Sequence, residues 1–340
     1  MNKQSSLLAT PLAIGPVVVP NRVFLAPMSG VSDKPFRQLA AESGAGLVIS
    51  EMVAGEQLVS GHPETVARAE RTGVGPHVVQ LAGREERWMA EGARAATDGG
   101  ADVIDINMGC PAKKVTTGYS GSALMRDLDH ALKLIEATVA ATPRPVTLKM
   151  RLGWDHSSLN APELACRAEQ AGVRLVTVHG RTRCQFYAGA ADWAAIRRVK
   201  EAVSIPVIAN GDFLAIEHIE PMLAASGADG IMIGRGAYGR PWFPGEIAAH
   251  SLGKASPRPP NGAPLAAFVR RHYEGILAHY GEALGIRCAR KHLGWYAERL
   301  PANPRTVVHR RALLTETGAP EVLRQIELLF GEEEMLGVAA

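Results

Sequence analysis

The stretch Val103-Ile104-Asp105-Ile106-Asn107-Met108-Gly109-Cys110-Pro111 decides how the rest of the chain is read. Its apolar start, 103–106, has the length and composition of a buried strand, and Gly109 and Pro111 stop that strand sharply. The turn then presents one cysteine immediately past a strand end. A lone cysteine is more often a small buried hydrophobe than a reactive group. The meaning of Cys110 therefore depends on what the neighbouring segments build around it.

Seven further runs of the same kind flank it: 22–27 (RVFLAP), 47–50 (LVIS), 77–81 (HVVQL), 146–150 (VTLKM), 175–179 (LVTVH), 206–210 (PVIAN) and 230–234 (GIMIG). Amphipathic segments separate them, at 34–42, 84–98, 129–141, 162–171, 193–202 and 216–225. Strands alternating with helices of this length make βαβ units and a parallel sheet. Eight such repeats predict a closed (β/α)8 TIM barrel rather than an open sheet. After Tyr238 the pattern changes: a Pro/Gly/Ser-rich stretch is followed by segments that read only as helix. The expected organisation is a barrel over 1–245, a linker over 246–264 and a helical domain over 265–340.

A chain of 340 residues suits one large and one small domain. Its 46% hydrophobic and 21% charged content describe a soluble globular protein. No apolar run reaches the length of a membrane span, and the N-terminus lacks a secretory pattern. The four cysteines, Cys110, Cys166, Cys184 and Cys288, form no CxxC pair. That spacing disfavours a disulfide framework or a zinc site, and predicts no metal and a cytoplasmic location. The net charge of +3 says little about partners.

In TIM barrels chemistry gathers at the carboxyl ends of the strands. Here those ends carry Ala26-Pro27-Met28, Gln80, Asn107 with Cys110, Lys149 with Arg151, His179 with Arg181, Asn210-Gly211-Asp212 and Gly234-Arg235-Gly236. One basic residue at a strand end can simply reach solvent, but a set on one rim is a site. The last two glycine-containing turns suit a phosphate, with Arg235 adding charge. The GxGxxG spelling of 234–239 is not a dinucleotide fingerprint, because no further βαβ unit follows it. A phosphate there, with Gln80 and Lys149 facing the axis, suggests flavin mononucleotide (FMN). Gln80 would bind the pyrimidine edge of the ring and Lys149 the negative charge of its reduced form.

Together, 26–37 (APMSGVSDKPFR), 105–115 (DINMGCPAKKV), 121–127 (GSALMRD), 179–193 (HGRTRCQFYAGAADW), 210–212 (NGD) and 234–242 (GRGAYGRPW) resemble the tRNA-dihydrouridine synthases, specifically their bacterial B-type group. The resemblance covers the barrel and extends loosely through 290–296 (RKHLGWY). It implies non-covalent FMN, NADPH (or alternatively NADH) as electron donor, and reduction of uridine in tRNA to dihydrouridine. It places FMN on Ala26, Pro27, Met28, Gln80, Lys149, His179, Asn210, Gly211, Asp212, Gly234 and Arg235, and makes Cys110 the acid. A thiol near its ordinary pKa is mostly protonated at neutral pH and can deliver a proton to C5. Asn107 is expected at the pyrimidine edge. The reacting base must leave its stack to reach the site.

For the RNA, residues 268–311 carry nine Lys/Arg, Arg305 among them, against three Glu, with histidines and aromatics interspersed. Arg287, Arg290 and Lys291 are candidate RNA contacts there. Lys113, Lys114, Arg181 and Arg183 are candidates at the barrel mouth. The same residues also suit a solvated face over an aromatic core. The protein is expected to act as a monomer. Two other functions compete: an FMN-dependent reductase of a free pyrimidine or other small ene substrate, and a non-catalytic RNA-binding protein.

Overall fold

The computed structural model describes residues 6–259 and 261–331, apart from the side chain of Arg305. The last nine residues of the expected helical domain, 332–340, lie outside the described residues.

A hairpin opens the fold, β1 (Leu12–Ile14) paired antiparallel with β2 (Val17–Val19). The parallel sheet follows, made of β3 (Val23–Leu25), β4 (Leu47–Val48), β5 (Val53–Ala54), β6 (Val78–Ala82), β7 (Val103–Met108), β8 (Val146–Arg151), β9 (Leu175–His179), β10 (Val207–Asn210) and β11 (Gly230–Ile233). Neighbours follow the order β4-β3-β11-β10-β9-β8-β7-β6-β5. A parallel bridge between Ile49 and Val78 joins the two ends. The second stave is thus one interrupted strand: β4 pairs with β3, and β5 pairs with β6. Counting it once gives the eight staves that the alternating pattern predicts.

The helices are α1 (Lys34–Glu42), α2 (Gly55–Val59), α3 (Pro63–Ala69), α4 (Glu86–Asp98), α5 (Lys113–Thr116), α6 (Leu128–Ala140), α7 (Ala161–Gln170), α8 (Trp193–Ala202), α9 (Ile219–Ser226), α10 (Phe243–Ser251), α11 (Ala263–Tyr280), α12 (Glu282–Ala297), α13 (Pro304–Thr315) and α14 (Ala319–Phe330). Side-chain caps set several starts, with Asp33, Asp127 and Asp192 accepting from Phe36, His130 and Ala195 N–H groups. α10 packs on β3 and α1 as the eighth barrel helix. Residues 246–251, expected as the start of the linker, are the last six of its nine residues. Six of the nine α10 residues are buried, and this contact outweighs the weak local pattern.

Two apolar layers hold the barrel. One lies between staves and helices. The other fills the interior with Phe24, Leu47, Ile49, Val78, Val103, Leu175, Ile208 and Met232, and the hairpin residues Leu12, Ile14 and Val19 join it. Side chains alternate along a strand. With Val78, Val103, Leu175 and Ile208 inward, Gln80, Asp105, Asn107, His179 and Asn210 point inward too. The interior therefore changes from apolar to polar toward the carboxyl ends.

A further core unites Trp242, Tyr273, Ile276, Leu293, Tyr296, Ile326 and Phe330. It anchors α11 to α14 beside the barrel. Phe36 of α1 meets the rings of His272 and His292 at 5.7 and 5.6 Å.

Candidate active site

Register stacks the inward polar residues in layers: Gln80 beside Asp105 beside Thr147, Asn107 beside Lys149 beside Thr177, and Arg151 beside His179 beside Asn210. The lowest layer is a closed network. Asp105 accepts from Gln80 Nε2 and Thr147 Oγ1, each at 2.6 Å. Gln80 Oε1 accepts from Asn107 Nδ2 at 2.8 Å. Burial pushes the Asp105 carboxyl up from its ordinary value, against the pull of these bonds.

Asn107 transmits this network to the cysteine turn. Its Oδ1 accepts from the N–H groups of Gly109 and Cys110 at 3.2 and 2.9 Å. The Cys110 carbonyl accepts from Ser122 N and Oγ at 3.1 and 2.8 Å. Gly121, at φ +59°, leaves room for that contact, since a Cβ there would fall 2.9 Å from the Cys110 oxygen. Arg151 donates from Nε to the Gly109 carbonyl at 2.9 Å, and from Nη1 to the Thr182 and Phe186 carbonyls at 2.8 and 2.9 Å. The thiol is thus fixed on both sides. Burial pushes it above the ordinary thiol value, so it stays protonated at neutral pH.

The cleft above this floor has a volume of about 530 Å³, inside the roughly 300–1,000 Å³ of ligand sites. Its lining includes Ala26, Pro27, Met28, Gln80, Asn107, Cys110, Lys114, Lys149, His179, Asn210, Gly211, Asp212, Gly234 and Arg235. Lys149 donates to Asn210 Oδ1 at 3.3 Å. Burial, with Arg151 nearby, pushes its ammonium down to about 8. His179 is driven well below its ordinary value by burial and by neighbouring cations, and is neutral. Cys110 follows the fourth stave and Gly234-Arg235 follow the eighth, so the thiol and the glycine turns face each other across the mouth.

Asp212 organises the glycine end. Its carboxylate accepts from Arg181 at 2.5 and 2.9 Å, from Arg235 at 2.9 Å and from Ala191 N at 2.8 Å. Gly211 holds φ +118°, and a Cβ there would fall 2.7 Å from Ala191 Cβ. The lining suits a flat heteroaromatic group with an anionic tail. It presents the amides of Gln80, already bonded to Asp105 and Asn107, and of Asn210, already bonded to Met232 and Lys149, a cation at Lys149, and glycine turns with Arg235. Among the described residues, no group of three or more His, Cys, Asp or Glu is placed to hold a metal ion, and no helix is long and apolar enough to cross a membrane.

Several expected RNA contacts lie elsewhere. Arg181 is 1% exposed and bound to Asp212, so it is an internal strut and not a surface cation. Arg183 is half-buried, stacked over Trp154 at 4.7 Å. Arg290 is half-buried and donates to the Glu316 carbonyl at 3.2 Å. Lys291 packs near Gly30 of the β3–α1 loop. Arg287, Lys113 and Lys114 are exposed. Of the aromatics of α11 and α12, Tyr273 and Tyr296 are buried in the helical core, and Phe268, Tyr280 and Trp295 are half-buried. Burial pushes His272 down to about 3, and with His272 beside it drives His292 well below the ordinary imidazole value. Asn107 lines the cleft, but its amide is committed to Gln80 and to the cysteine turn.

Asp105 and Thr147 carry structural weight that strand-end reading did not assign, and Arg151, read there as a rim residue, clamps three carbonyls. Their signal was the inward period of two. Phe186 and Tyr187 also line the mouth, from a loop with no periodic signal.

The fold recurs in solved structures of low identity. Morphinone reductase aligns with a TM-score of 0.51 at 16% identity, over 74% of this chain and 91% of that one. Histamine dehydrogenase from Rhizobium sp. 4-9 aligns at 0.57 and 15%, over 80% and 51%. Curated relatives are much nearer in sequence. The "Probable tRNA-dihydrouridine synthase" of Rhizobium leguminosarum bv. phaseoli is 61% identical over 281 residues, 83% of this chain and 86% of the relative. That of Rhodobacter capsulatus is 54% identical over 314 residues, 92% and 95%. The "tRNA-dihydrouridine synthase B" of Xanthomonas campestris pv. campestris is 47% identical over 306 residues, 88% and 91%. The family described as Dihydrouridine synthase matches residues 24–327, from the first barrel stave to the last described helix, and the chain belongs to that family.

Proposed function

We propose that this chain is an FMN-dependent tRNA-dihydrouridine synthase, drawing reducing equivalents from NADPH to saturate the C5–C6 bond of a uridine in tRNA. The observation that carries the reading is Cys110: a thiol kept protonated by burial, on a turn pinned by Asn107, Ser122 and Arg151, across the mouth from the glycine turns. The names of the Rhizobium, Rhodobacter and Xanthomonas relatives support the substrate.

FMN, when bound, supplies the hydride that uracil C6 receives. The chain supplies what remains. Gly211, Gly234 and Arg235 would hold the phosphate, with Asp212 orienting Arg235. Ala26, Pro27, Met28, Gln80 and Asn210, which line the cleft, would hold the ring system. Lys149 stabilises negative charge beside them, and neutral His179 adds no further positive charge to this crowded end. Cys110 Sγ gives its proton to C5 of the pyrimidine. Asn107 and Arg151 act through the backbone, holding that sulfur at the mouth. Exposed Lys113, Lys114 and Arg287 meet RNA phosphates.

The test is anaerobic. Purified protein should be yellow, be bleached by NADPH, and be reoxidised by tRNA from a strain lacking this gene, with dihydrouridine appearing. Protein that stays colourless when offered FMN would overturn the proposal. Reoxidation by free uridine or orotate but not by tRNA would favour a small-molecule reductase instead. A Cys110→Ala variant that leaves dihydrouridine levels unchanged in the deletion strain would favour a non-catalytic role.

A further inference from the structure

Among the described residues, three that are not glycine hold a positive φ, and all three lie in loops that follow the carboxyl ends of barrel strands: Tyr119 at +56°, Phe186 at +53° and Asp212 at +51°. Asp212 gains its two arginine partners in that conformation. Phe186 gains one backbone partner, Arg151 Nη1 on its carbonyl at 2.9 Å, and Tyr119 a tilted contact with the His130 ring at 6.4 Å; neither is an ion pair. A bulky residue in the left-handed region costs stability and persists where function requires it. Both rings face solvent, 42% and 39% exposed.

Their surroundings are cationic. Tyr119 follows α5, which carries exposed Lys113 and Lys114. Arg183 ties the two loops together, donating to Thr116 Oγ1 at 3.3 Å and lying over the Phe186 ring at 5.6 Å. The buried aromatics of α11 and α12 cannot offer such faces. Flat exposed rings flanked by cations suit unpaired nucleotides, whose bases stack while their phosphates meet positive charge. A uridine drawn out of its stack leaves neighbouring bases without a partner.

We propose that Phe186 and Tyr119 form a stacking platform for the unpaired nucleotides beside the reacting uridine, so that the barrel rim reads the local RNA conformation. This rests on tRNA being the substrate.

The experiment compares wild type, Phe186→Gly, Tyr119→Gly and Phe186→Trp on tRNA lacking dihydrouridine, alongside their thermal midpoints. Each glycine variant should keep or raise its midpoint, because glycine relieves the backbone. Its kcat/KM for tRNA should fall about five- to 150-fold, the range that one base–aromatic stack carries, mainly through KM. Phe186→Trp should recover most of the loss. Unchanged kcat/KM in the glycine variants overturns the platform, as does an activity loss that tracks a lowered midpoint and is not recovered by tryptophan. A wild type that forms no dihydrouridine in tRNA overturns both readings, whereas an active wild type with indifferent variants overturns the platform alone.

Discussion

Arg151 donates from Nε to the carbonyl of Gly109 at 2.9 Å, so the turn bearing Cys110 is held from the adjacent stave. The same guanidinium holds the carbonyls of Thr182 and Phe186. One side chain therefore sets the distance between the thiol loop and the loop of the mouth aromatics.

Arg151→Lys removes this clamp, because a lysine ammonium lacks the fork that reaches three carbonyls. Each buried carbonyl left unpaired costs about 1–3 kcal/mol. Displacement of the thiol by about 1 Å is expected to slow proton delivery about a hundredfold. Single-turnover reduction of tRNA and the thermal midpoint should both drop; a wild-type rate would remove Arg151 from the positioning role.

Cys110→Ala should retain yellow colour and NADPH-driven bleaching while losing about two to four orders of magnitude in uridine reduction. In the wild type the acid works while protonated. Since burial raises the thiol, the rate should hold across neutral pH and fall only above the ordinary thiol range. A rate that declines between pH 6 and 8 without a change in bound flavin would argue against the thiol as acid.

Lys149 gives a signed pH effect on folding. Its folded value of about 8 lies below the unfolded one, which is near 10.4. Between those limits the unfolded chain holds a proton that the folded chain lacks. This group's contribution to stability therefore rises with pH across that window. Lys149→Met should flatten this rise in denaturant titrations of the flavin-free protein, and should weaken flavin retention. Parallel pH profiles for the two proteins would contradict the assignment.

Asp212→Asn would leave Arg181, whose side chain is 2% exposed, without its counter-charge. Removing one partner of a buried pair costs about 3–5 kcal/mol, so the midpoint should drop by many degrees and retention of FMN should weaken as Arg235 loses its anchor. A stable variant with full flavin content would show that the Arg181–Asp212–Arg235 chain is dispensable.

Lys113→Glu with Lys114→Glu should lower tRNA affinity at low salt and flatten the salt dependence by about one logarithmic unit per lost phosphate contact. Identical salt slopes would place the RNA elsewhere.

Most strands and helices of the barrel were legible because their apolar runs are separated by amphipathic segments, and burial against two layers leaves little freedom in such a pattern; β5 and the short helices at 55–59 and 63–69 were not. The glycine turns and Cys110 were legible because they follow strand ends. The hairpin Leu12–Ile14 with Val17–Val19 was not, because three-residue strands carry too little period to read. Helix α10 was not legible either: Pro244 and Gly245 interrupt its local pattern, and burial against the barrel wall sets it.

What the sequence determined alone was the set of chemical groups and the order in which they occur at the rim. Only the tertiary structure decided which of them are free to act. Arg181 and Lys113 look alike in one dimension, yet ion pairing inside the barrel removes one from solvent and leaves the other exposed. The difference arises because partners come from other staves, Asp212 from beyond β10 and Gly109 from beyond β7. Spacing along the chain does not encode which side chains the closed sheet brings within hydrogen-bonding distance.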